Sequence, residues 1–512
     1  MPKAEVSLLA IICAAKFILC DVSGMALLSR IPSEREYGSS AVFWRNQMPK
    51  VAALCTIASA IGFYLSLNLG NMWPLAWVAS IPVLWLVFGE TRGWIAFAAT
   101  WTAYALGCCN MLPAYTGTLP VFVLAMALTV PALGFAGSAL GARYVARHVS
   151  PLAGVFVFAS LWTTWDYAAS FGQNGTAPSP AYSQVAAPYL IQGASAFGLW
   201  IITFMLGLIP AGIAMGLQKR SPMPALVAIM LFALNAGFGA WRMSHADETR
   251  PVRVGLAADD ALGAASFQAN AKAALDAVGQ YTAVARELSE QGATLIVFPE
   301  KLAVLQSSWR ADAISVLKAT ARASGATIVI GFDDQRDLRR NEALIFAADD
   351  AEPSVYFKRH MVPGLEAAFV PGDLSFVLQD QTGLAICKDM DFQSTLRSDA
   401  RDGHPTLIAV PAWDFDRDGW WHARLAIMRG VEDGFAVARA AKQGHLTLSD
   451  SYGRIIALSA SASAKNAMVS LVGDLPRGPG NTAYLHIGDV FAWASSAGSI
   501  LFLGMALRRA RK

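Results

Sequence analysis

The chain has 512 residues, 55% of them hydrophobic and only 15% charged, where soluble domains carry nearer ~25% charged residues. This composition excludes an ordinary soluble protein. The formal net charge of +3 comes largely from basic residues flanking apolar runs and does not indicate nucleic acid.

From the N-terminus, "SLLAIICAAKFILCDVSGMALL" (7–28) is apolar but contains Lys16 and Asp21. Residues 1–47 read as an extension, an extra span, a signal-like segment or an interfacial helix. Residues 48–240 are dominated by apolar runs, and a bilayer core needs about 20 mainly apolar residues per helix. Seven spans are predicted here, near 51–70, 73–89, 93–112, 119–141, 151–170, 190–217 and 223–240. An eighth follows at 488–507, ahead of the basic tail "RRARK" within 488–512.

Lys and Arg mark the cytoplasmic loops. One alternate set of loops carries Arg45 and Lys50, Arg92, Arg143 and Arg147, Lys219 and Arg220, and the basic tail. The other set, "GNM", "PAYTGT" and "FGQNGTAPSPAYSQVAAPY", carries neither. Seven spans then place residues 241–487 outside the cytoplasm.

That segment reads as a layered α/β domain. "VRVGLAA" (252–258), "TLIVFPE" (294–300), "ATIVIGFDD", "EALIFAA", "TLIAVPAW", "FAVARAA", "HLTLSDSYGRIIALS" and "AMVSLV" are strand-like. Residues 269–292, "AISVLKATARASG" and "WWHARLAIMRGVEDG" have helical spacing. Three reactive side chains fall at strand ends: Glu300 after "TLIVFP", Lys358 after "SVYF", and Cys387 after "TGLAI". Strand ends are where α/β enzymes place chemistry. A carboxylate that takes a thiol proton, a thiolate nucleophile and an ammonium facing the oxyanion together perform acyl chemistry. Spacing alone equally allows a solvated Glu, a surface basic pair at 358–359 and a small buried Cys. Cys387 is the one cysteine after residue 109, which suits an oxidising compartment where a neighbouring thiol would cap it.

"TLIVFPEK", "VYFKRHMVPGLEAAFVPGD" and "LAICKDMDF" stand in the order and spacing of the nitrilase (carbon–nitrogen hydrolase) superfamily. With "AYSQVAAPYLIQGASAFGLW" (181–200) and "MRGVEDGFAVARAAKQG" (428–444), the chain from about residue 50 resembles the bacterial apolipoprotein N-acyltransferases. The resemblance implies a polytopic α-helical membrane bundle plus an extracytoplasmic αββα nitrilase-like sandwich in the inner membrane. It implies Glu300 as general base, Lys358 as stabiliser of the tetrahedral intermediate and Cys387 as a thioester-forming nucleophile. Glu366, Asp389 and Glu432 would support them. The implied acyl donor is a phospholipid and the acceptor is the α-amino group of a lipoprotein's diacylglyceryl-cysteine. No metal or cofactor is implied, and the reading takes a monomer. The bundle would hold the thiol at the level of lipid esters.

The chain departs from the family pattern at several positions. Lys388 and Asp389 replace an aromatic residue and Glu, "PAWDFDRD" replaces Ser-Asn-Asp and its turn, and "KQG" (442–444) replaces Asn-Thr-Gly. In the family these positions line the site or its mobile loops, so they bear on the acceptor. An amidase, a transferase with another acceptor, or a non-catalytic lipid- or protein-binding relative are the alternatives. Lys388 is expected either to join Lys358 in favouring the thiolate or to point into solvent. Trp420, Trp421 and His422 read as an interfacial lid or as the start of a packed helix. His360 reads as structural, and His404, His445 and His486 lack metal-ligand spacing.

Overall fold

The computed structural model describes residues 37–246, 250–262, 267–349, 352–462 and 468–512. The chain divides into two compact units. One takes the described residues up to Trp165, with Thr203–Leu234 and Ala492–Lys512; the other takes Asp166–Ile202 and Asn235–Phe491.

The first unit is helical. Its helices are α1 (Tyr37–Ser66), α2 (Ile81–Phe88), α3 (Gly93–Cys108), α4 (Val121–His148) and the larger parts of α5 (Pro151–Ala169), α6 (Trp200–Lys219) and α7 (Met223–Ser244). The last helix, Val490–Ala510, joins them. Phe63, Tyr104, Phe135, Phe158 and Trp162 pack edge-to-face, tilted or stacked with ring centroids 4.9–6.2 Å apart. Outward faces stay apolar, as at Ile57 and Ile61 of α1, Phe122 and Met126 of α4, and Ile500 and Leu501 of the last helix. That pattern suits lipid rather than water as the surrounding solvent.

Among the described residues, six stretches are long and apolar enough to cross a membrane: Met48–Ser66, Gly93–Tyr115, Val121–His148, Trp200–Lys219, Met223–Ser244 and Val490–Ala510. Three expected spans differ, the one at 190–217 because Pro188–Ile191 and Ala194–Phe197 are separate four-residue helices and the long helix starts only at Trp200. Residues 73–89 form a 3-10 turn, Trp73–Trp77, followed by the eight-residue α2, with Pro74 and Pro82 each opening a new helix. Proline has no N–H to continue a preceding helix, and eight residues rise only ~12 Å. Residues 151–170 form the 19-residue α5, whose Ser160, Thr163, Thr164 and Asp166 dilute its apolar character. Of residues 1–47, those up to 36 lie outside the described residues, and the backbone is helical from Tyr37.

The second unit contains two sheets. Its strands are β1 (Pro251–Ala258), β2 (Leu295–Val297), β3 (Val304–Leu305), β4 (Thr327–Asp334), β5 (Arg340–Phe346), β6 (Ser354–Phe357), β7 (Thr382–Leu384), β8 (Leu407–Trp413), β9 (Ala436–Lys442), β10 (His445–Ser449), β11 (Ile455–Ala460) and β12 (Val469–Pro476). Its principal helices are α8 (Ala271–Glu290), α9 (Ser307–Ser324), α10 (Gln393–Gly403) and α11 (Gly419–Asp433). The seven-stranded sheet runs β12-β1-β2-β4-β5-β6, with β3 beside β4. The five-stranded sheet runs β11-β10-β9-β8-β7.

Period-two alternation builds the layers. Val254, Leu256, Leu295, Val297 and Val329 face Leu407, Ala409, Ala436 and Ala438 in a core between the sheets. Alternate residues Ile296, Phe298, Ile328 and Ile330 pack under α8 and α9. On the other sheet, Ile408, Val410 and Val437 pack with Leu396, Ala400 and Ala426 of α10 and α11. The result is an αββα sandwich. Its central strands are buried on both faces, which is why they read as continuous apolar runs, while β11 and β12 are partly exposed.

Candidate active site

The sandwich brings Glu300, Lys358, Glu366 and Cys387 to one set of strand ends. After β2 the chain turns through Pro299 to Glu300, and the Glu300 amide donates to the Ala412 carbonyl at the end of β8 (3.3 Å). Strand β4 passes very close. A Cβ on Gly331 would lie 2.6 Å from Glu300 Cα, so only glycine admits this approach. Lys301, with φ +46°, bends the backbone away.

Glu300 is buried. Its Oε1 accepts from Lys358 Nζ (2.8 Å) and from Asn341 Nδ2 (2.5 Å). Asn341 belongs to β5, and the amide of Lys358, just past β6, donates to its carbonyl (2.9 Å). The antiparallel pairing of β5 and β6 therefore sets both donors. Glu366 completes the cluster. Its Oε2 accepts from Lys358 Nζ (2.8 Å) and the Val362 amide (2.9 Å), and its Oε1 from Lys301 Nζ (2.6 Å) and Asn341 Nδ2 (3.0 Å).

Burial alone would discharge Lys358, but Glu300 and Glu366 raise its pKa well above the ordinary lysine value. Burial likewise opposes charge on Glu366, yet Lys358 and Lys301 hold its carboxyl down to about 2. Lys358 is thus a cation clamped between carboxylates, the state needed to meet a developing oxyanion.

Cys387 follows β7 and opens a 3-10 turn, Cys387–Asp391, with its own backbone left-handed at φ +43°. It stays partly exposed while residues on either side are buried. Its Sγ lies 3.5 Å from the Trp413 carbonyl, to which the thiol donates. Burial pushes the thiol's pKa well above the ordinary value; Glu300 adds to this and Lys358 opposes it. The thiol is therefore held protonated, and the reaction needs a base beside it.

Asp389 is fully buried. It accepts from the Ile386 amide (3.0 Å), Tyr356 OH (2.8 Å), the Arg359 amide (3.1 Å) and the His360 amide (2.9 Å). One carboxylate thus ties the cysteine turn to the strand end carrying Lys358. Burial works against its charge, but the His360 and Ile386 hydrogen bonds hold the carboxyl below the usual range. His360 is structural, stacked on Phe392 at 3.8 Å.

Lys388 corrects both expectations made for it. It neither faces the thiol nor enters solvent: it is buried, 3.1 Å from Asp391 and 3.4 Å from Asn174 Oδ1. The strand rule fails there because Cys387 already starts a 3-10 turn. Glu432 sits elsewhere, on α11, paired with Arg429 (2.6 Å) and accepting from the Leu199 amide (2.6 Å). Burial pushes its carboxyl up to about 7, against the opposing pull of Arg429. Trp421 is buried and His422 Nε2 lies 3.1 Å from Asp418, as a packed helix start requires.

Sequence reading missed Asn341, Lys301, Lys442 and the buried Asp414–Arg439 pair (2.9 Å). Lys442 Nζ donates to the Lys301 carbonyl (2.9 Å), and burial drives its pKa well below the ordinary lysine value. The available signal was its place at the end of an apolar strand, where a lysine has to be buried.

Residues 59–212 match the family model described as the apolipoprotein N-acyltransferase N-terminal domain, and residues 262–479 match the carbon–nitrogen hydrolase model. The apolipoprotein N-acyltransferase of Geobacter metallireducens is 25% identical over 90% of this chain and 96% of its own length. That of Pseudomonas putida is 25% identical over 78% and 87%. A mutant Nesterenkonia AN1 amidase from the nitrilase superfamily aligns at 21% identity over 49% of this chain and 99% of its own, with a TM-score of 0.39.

Proposed function

For this chain, which by its two domains belongs to the apolipoprotein N-acyltransferase family, we propose acyl transfer through a Cys387 thioester. The acyl group comes from a phospholipid and goes to the α-amino group of a lipoprotein's N-terminal diacylglyceryl-cysteine. The observation that carries the proposal is the buried Lys358 ammonium, 2.8 Å from both Glu300 and Glu366 and electrostatically coupled to Cys387.

In the first half-reaction Glu300 takes the thiol proton and Sγ attacks the ester carbonyl. Lys358 meets the oxyanion. The C–O bond then breaks, and Glu300 returns the proton to the departing glycerol oxygen, leaving a lysophospholipid. In the second, the acceptor's neutral amine attacks the thioester, Glu300 takes the amine proton, and the thiolate leaves to be reprotonated. Glu366 and Asp389 position Lys358. We place the sheet unit outside the cytoplasm of the inner membrane, since the loops on its side of the alternation lack Lys and Arg, while Lys219, Arg220 and the basic tail lie beyond the two helices that flank it.

The test has two parts. The chain is expected to restore growth to a bacterial strain depleted of its own lipoprotein N-acyltransferase, and Cys387→Ser is not. Intact-protein mass spectrometry after incubation with phospholipid is expected to show an acyl adduct on Cys387. A fully active Cys387→Ala chain would sink the proposal.

A further inference from the structure

We infer that Trp413 is a specificity residue: with Phe267 it forms an apolar wall beside the thiol that receives the first methylenes of the acyl group. The inference rests on the thioester reading above.

Two differences from the family pattern, at 413 and at 442–443, form one assembly. Trp413 and Lys442 end neighbouring parallel strands β8 and β9 and are direct register partners. Lys442 Nζ lies 3.6 Å from the centroid of the indole ring, while it donates to the Lys301 carbonyl. The indole Nε1 donates to Gln443 Oε1 (2.8 Å), and the Gln443 amide donates to Asp260 (2.7 Å). The ring is therefore fixed through its N–H and over one face. Phe267 approaches it at 5.3 Å and 58°, and Phe267 is 74% exposed.

The wall is anchored beside the reacting atom: the backbone carbonyl of Trp413 accepts from Cys387 Sγ (3.5 Å), and the centroid of its indole lies 5.3 Å from Lys301 Nζ, which pairs with Glu366 of the same cluster. Trp413 is partly exposed, although residues 411, 412 and 414 are buried, and the two side-chain nitrogens beside its ring, those of Lys442 and Lys301, are held by the Lys301 carbonyl and by Glu366 respectively. The carboxylates nearby are already engaged: Asp414 by Arg439, Asp260 by Gln443, and Glu366 by Lys301 and Lys358. An ammonium acceptor finds little to recognise there, whereas an aliphatic chain covers apolar surface. Burial of one methylene against such a wall corresponds to roughly fourfold in rate when the contact is made in the transition state.

The test uses the full chain in detergent micelles and single-turnover acylation of Cys387 by p-nitrophenyl acetate, butyrate and hexanoate, read by intact-protein mass. In each case Sγ bonds the carbonyl carbon, p-nitrophenolate leaves with the electron pair of the C–O bond, and the thiol proton passes to Glu300. No acceptor is present, so the acyl group is tested alone. The hexanoyl-to-acetyl rate ratio is expected to fall about tenfold in Trp413→Ala and to be largely kept in Trp413→Phe. Phe267→Ala, whose exposed ring carries little of the fold, is expected to lower the ratio in the same direction. Comparing ratios between variants cancels the partition of longer esters into micelles. An unchanged ratio in both alanine variants overturns the inference while leaving the thioester reading intact. A change seen only in the second step, after an amine is added, assigns the wall to the acceptor and equally overturns it. Absence of any acyl adduct on wild-type Cys387 overturns both.

Discussion

At the scale of single residues, the thiol and its neighbours set a testable pH profile. Burial and Glu300 raise the Cys387 pKa, and Lys358 lowers it. A raised thiol pKa means that thiolate appears only at higher pH. Alkylation of substrate-free Cys387 by iodoacetamide is therefore expected to reach half its maximal rate above the ~8.5 of an ordinary cysteine. Glu300→Gln removes a negative charge and shifts the profile to lower pH; Lys358→Met removes the positive charge and shifts it higher. Lys388→Tyr leaves it in place, since Lys388 is bound to Asp391 and Asn174. A wild-type profile at or below that of a free thiol, or one unmoved by Glu300→Gln, would refute this electrostatic account. The alternative sequence reading, in which two lysines prime the thiolate, fails because adjacent residues separate once the strand becomes a turn.

Among elements, the crossing of β4 over the Glu300 turn is the tightest constraint on the site. Gly331→Ala places a Cβ 2.6 Å from backbone, so the Glu300 turn must shift. Displacements of this size cost about 1–3 kcal/mol in a packed interior and move Glu300, the proposed base, relative to the thiol. Single-turnover thioester formation is expected to fall at least tenfold while the chain still folds; an unchanged rate would show that Glu300 does not need this placement. The strands and helices were largely legible in the sequence, because burial of the central strands on both faces gave continuous apolar runs and the long helices had clear apolar periodicity. The helix α10 was not, since among its apolar residues only Leu396 and Ala400 are buried and the rest is largely polar. The "HLTLSDSYGRIIALS" run split into β10 and β11 because Asp450 folds the turn, accepting from the amides of Tyr452 and Arg454 (2.9 Å each). The cluster around Glu300 was legible only as residue types at strand ends. Asn341 was invisible, because nothing in "RRNEALIF" distinguishes a solvated turn from a side chain bonded to two carboxylates.

For the whole molecule, apolar length alone overstated the number of long spans. Pro74 and Pro82 cut one expected helix into short pieces, and polar residues diluted another. The loop charges still predict which side the sheet unit faces. A reporter active only outside the cytoplasm is expected to be active when fused near residue 330 and inactive when fused after Lys512. Swapped activities would refute the assignment. The two compact units also interleave along the chain: residues 166–202 belong with the sandwich although they lie between helical segments. Thr176 shows why. Its amide and hydroxyl both donate to the Asp391 carbonyl (2.8 Å each), within the turn that starts at Cys387.

The left-handed backbone at Cys387 sets function against stability. A non-glycine residue held in that region costs roughly 1–2 kcal/mol, so the chain gives up folding free energy at the residue proposed to carry the acyl group. Replacement by glycine removes that cost and offsets glycine's usual entropic penalty of about 0.5–1 kcal/mol. Cys387→Gly is therefore expected to melt no lower than the wild-type chain in detergent while forming no thioester. A melting temperature several degrees lower would show that the backbone there carries no strain. Screens that select only for thermal tolerance or expression would then enrich inactive chains, so any stabilisation of this protein needs an activity readout beside the melting curve.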